Sequence, residues 1–242
     1  MSEKNLTRVL SWVDQDKNPL LIQLPIFKYH EFQNDWNLPD LSAKIKSLPF
    51  ENKSAITYNL LNLSKLSSDI ILDIRYATSN NFLGFPLYSK SACYLHKNAA
   101  EALVKVQKEL SLINLGLKVF DGYRPLAVQQ MMWDKIQDER YVSNPAKNKG
   151  RHTRGTAVDL TLVDSDGNEL EMPTEFDNFT EKAHSNYPDI SQTAFKNKAL
   201  LSEVMKKHHF QPLLTEWWHF DFEGWDDDVK FPPLNIDFEQ IK

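Results

Sequence analysis

The sequence predicts an α+β fold, in which a small and largely antiparallel sheet is flanked by helices. Within the main domain, helical periodicity is confined to a few stretches, about 97–113, 125–138 and 191–209. Between and around them lie short apolar or alternating runs bounded by turn formers: DIILDIRYAT, LKVFD, AVDLTLV and EWWHFDF. Length supplies the third observation, since 242 residues of 41% hydrophobic content allow one sizeable core or two modest ones. The expected division is an N-terminal extension at 1–68, a main domain at 69–225 and a C-terminal tail at 226–242.

The extension reads as helical. Leu6, Val9, Leu10 and Val13 sit at helical spacing, LLIQLPIF is interrupted by Pro25, and further short helices are expected at Leu41–Leu48 and Ala55–Leu66. None of these carries recognisable chemistry, so the extension's expected role is to pack on or lie over the domain that follows.

From Asp69 the texture changes to a strand-like run and then to SNNFLGFP, dense in turn formers. The next helix places Ala99, Leu103, Val106, Leu110 and Ile113 on one stripe, with Gly116 expected as its C-terminal cap. LKVFDGYRP reads as a buried strand ending in a turn, with Pro125 as the first residue of a helix that turns Val128, Met131 and Met132 inward. Arg124 therefore stands at a strand-to-helix junction, either aimed into a cleft or lying on the surface paired with Asp121. Residues 140–151 read as a basic loop with Lys147, Lys149 and Arg151, placed to attract a small anionic group such as a peptide carboxylate. In AVDLTLV, Asp159, Thr161 and Val163 fall on one face and Val158, Leu160 and Leu162 on the other, as in a half-buried strand. DSDGNELEM fits a β-hairpin and MPTEFDNFTEKAHSNYP an ordered loop. Ser191 is expected to cap a helix whose buried stripe is Leu201, Val204, Met205 and His208, with His208 at the core edge and not a ligand. Pro212 is expected to break the chain before the strand EWWHFDF.

Net charge is −5 and the basic residues are dispersed, which argues against nucleic acid as a partner. A single cysteine, Cys93, rules out an internal disulfide and reads best as a small core residue of a protein in a reducing compartment. The N-terminal stretch lacks the long apolar core of a signal peptide, and the longest apolar segments are too short to span a bilayer. A cytoplasmic protein is expected, with self-association left open.

The chemistry gathers around GRHTRGTAVDLTLV and TEWWHFDF. An ionised aspartate at the head of a strand is a poor core residue, because burying it unpaired costs several kcal/mol or forces it neutral. Asp159 thus implies a cation, a donor cluster or water nearby. His152, Asp159 and His219 together supply two imidazoles and a carboxylate, a common donor set for catalytic zinc, and leave Glu216 as a general base. The arrangement imposes a condition. Residues three apart in a regular strand point to opposite faces, so Glu216 and His219 converge only if the strand ends, bends or bulges between them. Trp217 and Trp218 would wall such a site.

Five motifs in order, DIRYATSNNFLG, DGYRP, RHTRGTAVDLTL, EFDNFTEKAH and EWWHF, resemble the D-alanyl-D-alanine dipeptidases, zinc enzymes of the vancomycin-resistance type, over roughly Asp69 to Trp225. The resemblance implies one zinc ion per chain on His152, Asp159 and His219, Glu216 as catalytic base, and Arg124 as the group that stabilises the oxyanion. It further implies that Asp177 holds the free amine of a small D,D-dipeptide and that Tyr76 lines the pocket. The chain departs from the family where two serines usually precede the first zinc histidine: Gly150 and Arg151 stand there instead. Arg151 is the candidate partner for the substrate's terminal carboxylate. Two rival functions remain, a D,D-carboxypeptidase or endopeptidase acting on peptidoglycan peptides, which would not need Asp177, and a zinc-binding module that has lost catalysis.

Overall fold

A computed structural model describes residues 59–139 and 141–241; the helices expected at 6–13 and 41–48 and the first part of the one expected at 55–66 lie outside them. The described part of that last segment is not a continuous helix. It forms a strand, β1 (Leu60–Asn62), followed by a single helical turn, α1 (Leu63–Leu66). Asn62 makes the switch by accepting a hydrogen bond from the Ser64 amide, which caps α1 and ends the extended run.

The remaining elements in chain order are β2 (Ile71–Leu72), β3 (Tyr94–His96), α2 (Lys97–Ser111), β4 (Gly116–Asp121), α3 (Leu126–Ile136), α4 (Pro145–Asn148), β5 (Ala157–Val163), α5 (Gln192–Lys207), β6 (Phe210–Leu213) and β7 (Glu216–Phe222). Five strands form the main sheet in the order β2-β4-β5-β7-β6, while β1 and β3 pair separately. Among the described strands only β2 and β4 run parallel; every other pairing is antiparallel. This is the α+β architecture the sequence predicts, with β5 at its centre.

The core lies between the sheet and the two long helices. Leu103, Val106 and Leu110 of α2 meet Leu201 and Met205 of α5 in the same cluster as Val158, Leu160 and Leu162 of β5. At the surface Lys207 and His208 tie the two helices together through Glu109. His208 is thus an edge residue, as expected. The tail enters this core too, with Phe231, Leu234, Ile236, Phe238 and Ile241 all buried. At about 1.5–3 kcal/mol for each fully buried apolar side chain, those five are comparable to the whole net stability of a typical domain.

Several local expectations are corrected. β5 is buried along its whole length, because Asp159 faces a pocket and the segment at 169–170 hydrogen-bonds along the strand's end. That segment makes one isolated bridge, Val163 to Glu169, instead of the returning strand of a hairpin. Asn114, not Gly116, takes the left-handed conformation after α2, and Gly116 opens β4, leaving Ile113 exposed. Pro125 caps α3 instead of opening it. The basic loop contains a short helix, α4, capped by Asn144. Pro212 lies inside β6, where an edge strand tolerates the missing donor.

Candidate active site

Cross-strand register assembles the site. Asp159 of β5 pairs with Asp121 of β4 on one side and with His219 of β7 on the other. Both neighbours depend on irregularities. An extra residue in β4, Phe120, turns Asp121 onto the face of Asp159. In β7 the register slips between Phe220, which faces Pro212, and Glu216, which faces Leu213. That slip meets the condition set by the spacing: the Glu216 Oε2 atom comes within 3.8 Å of His219 Nδ1, although the two residues are three apart.

His152 arrives from a single 3-10 turn at 152–154 that Gly155 closes with φ 66°. A Cβ on Gly155 would lie 2.8 Å from Leu60 Cδ2 and 2.9 Å from the His96 amide nitrogen, so only glycine fits against β3. The turn is joined to the one after β4 by two bonds. Arg124 N–H donates to the His152 carbonyl at 3.1 Å, and His152 Nδ1 lies 2.8 Å from the Gly122 carbonyl. A carbonyl only accepts, so Nδ1 carries a proton, which leaves Nε2, 3.3 Å from Asp159 Oδ2, as the atom that can turn to a cation. On the other arm, His219 Nε2 lies 3.0 Å from Asp221 Oδ1 and its Nδ1 lies 3.0 Å from Asp159 Oδ1. Asp221 can accept a hydrogen bond from Nε2–H and leave Nδ1 for an ion.

One donor atom from each of His152, Asp159 and His219 lies within 4.8 Å of the others, and all three residues are buried. Small adjustments would bring such atoms to the roughly 2.0–2.2 Å at which imidazole and carboxylate ligands hold zinc. The electrostatics fit a cation. Burial alone would raise the Asp159 carboxyl, yet the two imidazoles hold it well below the usual carboxylate range. Burial would lower His219, but Asp221 and Asp159 push it up to about 10, a field that favours positive charge at that ring.

Around this cluster a single pocket is lined by all eight residues singled out from the sequence: Tyr76, Arg124, Arg151, His152, Asp159, Asp177, Glu216 and His219. Burial raises Glu216, with Asp159 adding to the rise and His219 opposing it, which moves the carboxyl toward the range useful to a general base near neutrality. Asp177, left-handed at φ 60°, is raised chiefly by burial and then by Asp159. The Tyr76 hydroxyl donates to its two carboxylate oxygens at 3.0 and 3.1 Å. Arg124 combines both alternatives read from the sequence: it is paired with Asp121, through Nε at 3.1 Å and Nη2 at 2.7 Å, but buried and facing the pocket. Its Nη1 donates to Gln129 at 2.9 Å, and its guanidinium stands 4.9 Å from the Tyr76 ring centre. Arg151 pairs with Asp221 and lies 4.5 Å over the Trp225 ring. Of the two tryptophans only Trp218 lines the pocket; Trp217 donates to Thr174 Oγ1 in the packing behind it.

Sequence reasoning missed the supporting residues. Asp121 was weighed only as a surface partner, but it is fully buried and also accepts from the Tyr88 hydroxyl at 2.7 Å and the Gly122 amide at 2.9 Å. Asp221 had a readable signal, because it is two residues beyond His219 and so shares its face of β7. Gln129 had none beyond its place one turn into α3.

Two imidazoles and a carboxylate at one point, with a glutamate beside them in the same pocket, are a donor set that could hold a metal ion of the hydrolase type. Residues 56–235 match the family described as D-ala-D-ala dipeptidase, and the chain belongs to that family. The D-alanyl-D-alanine dipeptidase of Escherichia coli K12 is 36% identical over 165 residues, 68% of this chain and 85% of that protein. The enzymes of the same name from Enterococcus faecalis and Enterococcus faecium are each 29% identical, over 66% and 73% of this chain and 89% and 95% of their own. Among solved structures, that of the LdcB LD-carboxypeptidase aligns at 17% identity over 79% of this chain and 81% of its own, with a TM-score of 0.40, too slight a likeness to support an argument.

Proposed function

We propose that this protein hydrolyses D-alanyl-D-alanine, or a closely related D,D-dipeptide, to free amino acids with one zinc ion held by His152, Asp159 and His219. The observation that carries the reading is that a candidate base, a fixed guanidinium and a partly buried carboxylate suited to a free amine all line the pocket of the three donors. A zinc ion held by that set would supply Lewis acidity to the scissile carbonyl and to the attacking water. Glu216 takes the proton from the attacking water as oxygen adds to the carbonyl carbon. Arg124 cannot lose its charge, is held rigid by Asp121 and Gln129, and takes up the negative charge developing on the carbonyl oxygen. Glu216 then returns the proton to the leaving nitrogen as the C–N bond breaks, giving two molecules of D-alanine.

Asp177 selects the substrate. Burial raises its carboxyl, and an arriving ammonium group compensates the buried charge. Tyr76 orients that carboxylate from behind, and Arg151 offers its positive charge to the substrate's carboxylate. Requiring a free amine sets this activity apart from carboxypeptidase action on longer wall peptides. The catalytic unit is taken to include β1 and the tail, whose side chains share its core. A cytoplasmic setting accords with the single buried thiol of Cys93. Among the described residues no helix is long and apolar enough to cross a membrane.

The test is release of D-alanine from D-Ala-D-Ala by the purified protein, measured after chelation and again after zinc is restored. Activity lost on chelation and recovered with zinc is expected. Turnover that survives complete metal removal, or no turnover with stoichiometric zinc bound, overturns the reading.

A further inference from the structure

We propose that Arg151 and Asp221 form a positioning pair for His219, so that retention of the metal depends on a salt bridge outside the donor set. The inference rests on His152, Asp159 and His219 holding a metal. Asp221 uses its two oxygens on different partners: Oδ1 faces His219 Nε2 at 3.0 Å and Oδ2 receives Arg151 Nη1. A carboxylate held at one oxygen can swing about its own axis, but one held at both presents a fixed plane to the imidazole. Asp221 is 5% exposed, so without Arg151 its second oxygen would lose its charged partner in a site with little water. Arg151 is itself restrained, stacked 4.5 Å over Trp225.

Covalent connection adds to the argument. Arg151 immediately precedes His152, and its side chain crosses to the carboxylate two residues beyond His219. One residue thereby links both histidine arms. His152 needs no such device, because the Gly122 carbonyl that accepts the hydrogen bond from its Nδ1–H belongs to the backbone. A Cβ on Gly122 would stand 2.6 Å from Cys93 Sγ and 2.9 Å from the Tyr94 carbonyl oxygen, so that turn is fixed by packing. His219 relies on side chains instead, and Arg151 is the distal one.

The experiment measures zinc affinity by competition with a chromophoric chelator, without substrate, for the native protein, Arg151→Ala, Asp221→Ala and the double variant. Arg151→Ala and Asp221→Ala should each weaken zinc binding about 10- to 100-fold, the usual loss when a partner outside the donor set is removed. If Arg151 acts through Asp221, the double variant loses no more than Asp221→Ala alone. Arg151→Lys keeps the charge without the planar fork and should recover part of the affinity; it also serves if Arg151→Ala fails to fold. Native affinity in both Arg151 variants overturns the proposal, as do losses that add in the double variant. A native protein that holds no zinc overturns both this proposal and the reading of the metal site, whereas native zinc binding with unaffected variants overturns this proposal alone.

Discussion

The two halves of the pocket are built differently. His152, Asp159, His219 and Glu216 sit on β5 and β7 or on the tight turn leading into β5, within a hydrogen-bonded ladder at the centre of the sheet. Tyr76 and Asp177 hang from connections: Tyr76 from a 3-10 turn after β2, and Asp177 from the long segment between β5 and α5. Asp177 also holds a left-handed backbone that a non-glycine residue adopts at a cost of about 1–3 kcal/mol. The groups proposed to meet one ion are placed by strand register, and those proposed to choose the substrate by loops pinned with side-chain bonds. Changes in the first half should therefore lower turnover, and changes in the second should alter which substrate is accepted.

The largest effect is expected at the base. Glu216→Gln should reduce kcat roughly 10²–10⁴-fold, the usual contribution of a positioned general base, while zinc content stays stoichiometric. A variant that turns over normally would remove Glu216 from the chemistry. Arg124→Lys comes next: a lysine replaces the fork braced by Asp121 and Gln129 with a mobile point charge, and kcat should fall about 10²–10³-fold with KM little changed. A rise in KM alone would move Arg124 to the recognition half.

Smaller effects separate the loop residues. Asp177→Asn should lower kcat/KM for the free dipeptide about 10- to 100-fold, corresponding to one charge-assisted bond of about 1.5–3 kcal/mol, with KM carrying most of the loss. An unchanged KM would show that the amine is held elsewhere. Tyr76→Phe removes one hydrogen bond to Asp177 and should cost tenfold or less, at about 0.5–1.5 kcal/mol. If it matched the loss in Asp177→Asn, Tyr76 would be touching the substrate itself.

The sheet-borne half was the more legible in the sequence, for physical reasons. Strand alternation puts Asp159 on one face, and donor type makes His152 and His219 candidate partners, although their spacing alone says little. The convergence of Glu216 with His219 was legible only as a condition, because a bulge leaves no local signature when Leu213 and Phe220 look like ordinary strand residues. Asp121 was harder to read. Its approach to Asp159 depends on Phe120 being extra to the ladder, and its burial depends on Tyr88 and Arg124 arriving from distant segments. The loop half came from motif resemblance alone, since neither periodicity nor spacing fixes where a long connection passes. Local propensity failed at 60–62, where pairing of β1 with β3 prevailed over a helical pattern.

The central claim is that a carboxylate in the loop half makes this sheet-borne metal site a dipeptidase. It is tested most directly by kcat/KM for D-Ala-D-Ala beside that for N-acetyl-D-Ala-D-Ala, with the zinc-loaded protein. The account predicts efficient cleavage of the free dipeptide and at least about a hundredfold poorer cleavage of the acetylated one, since acetylation removes the charge and leaves the Asp177 carboxyl buried against an amide. Equal rates on the two substrates would contradict it and make the protein a carboxypeptidase.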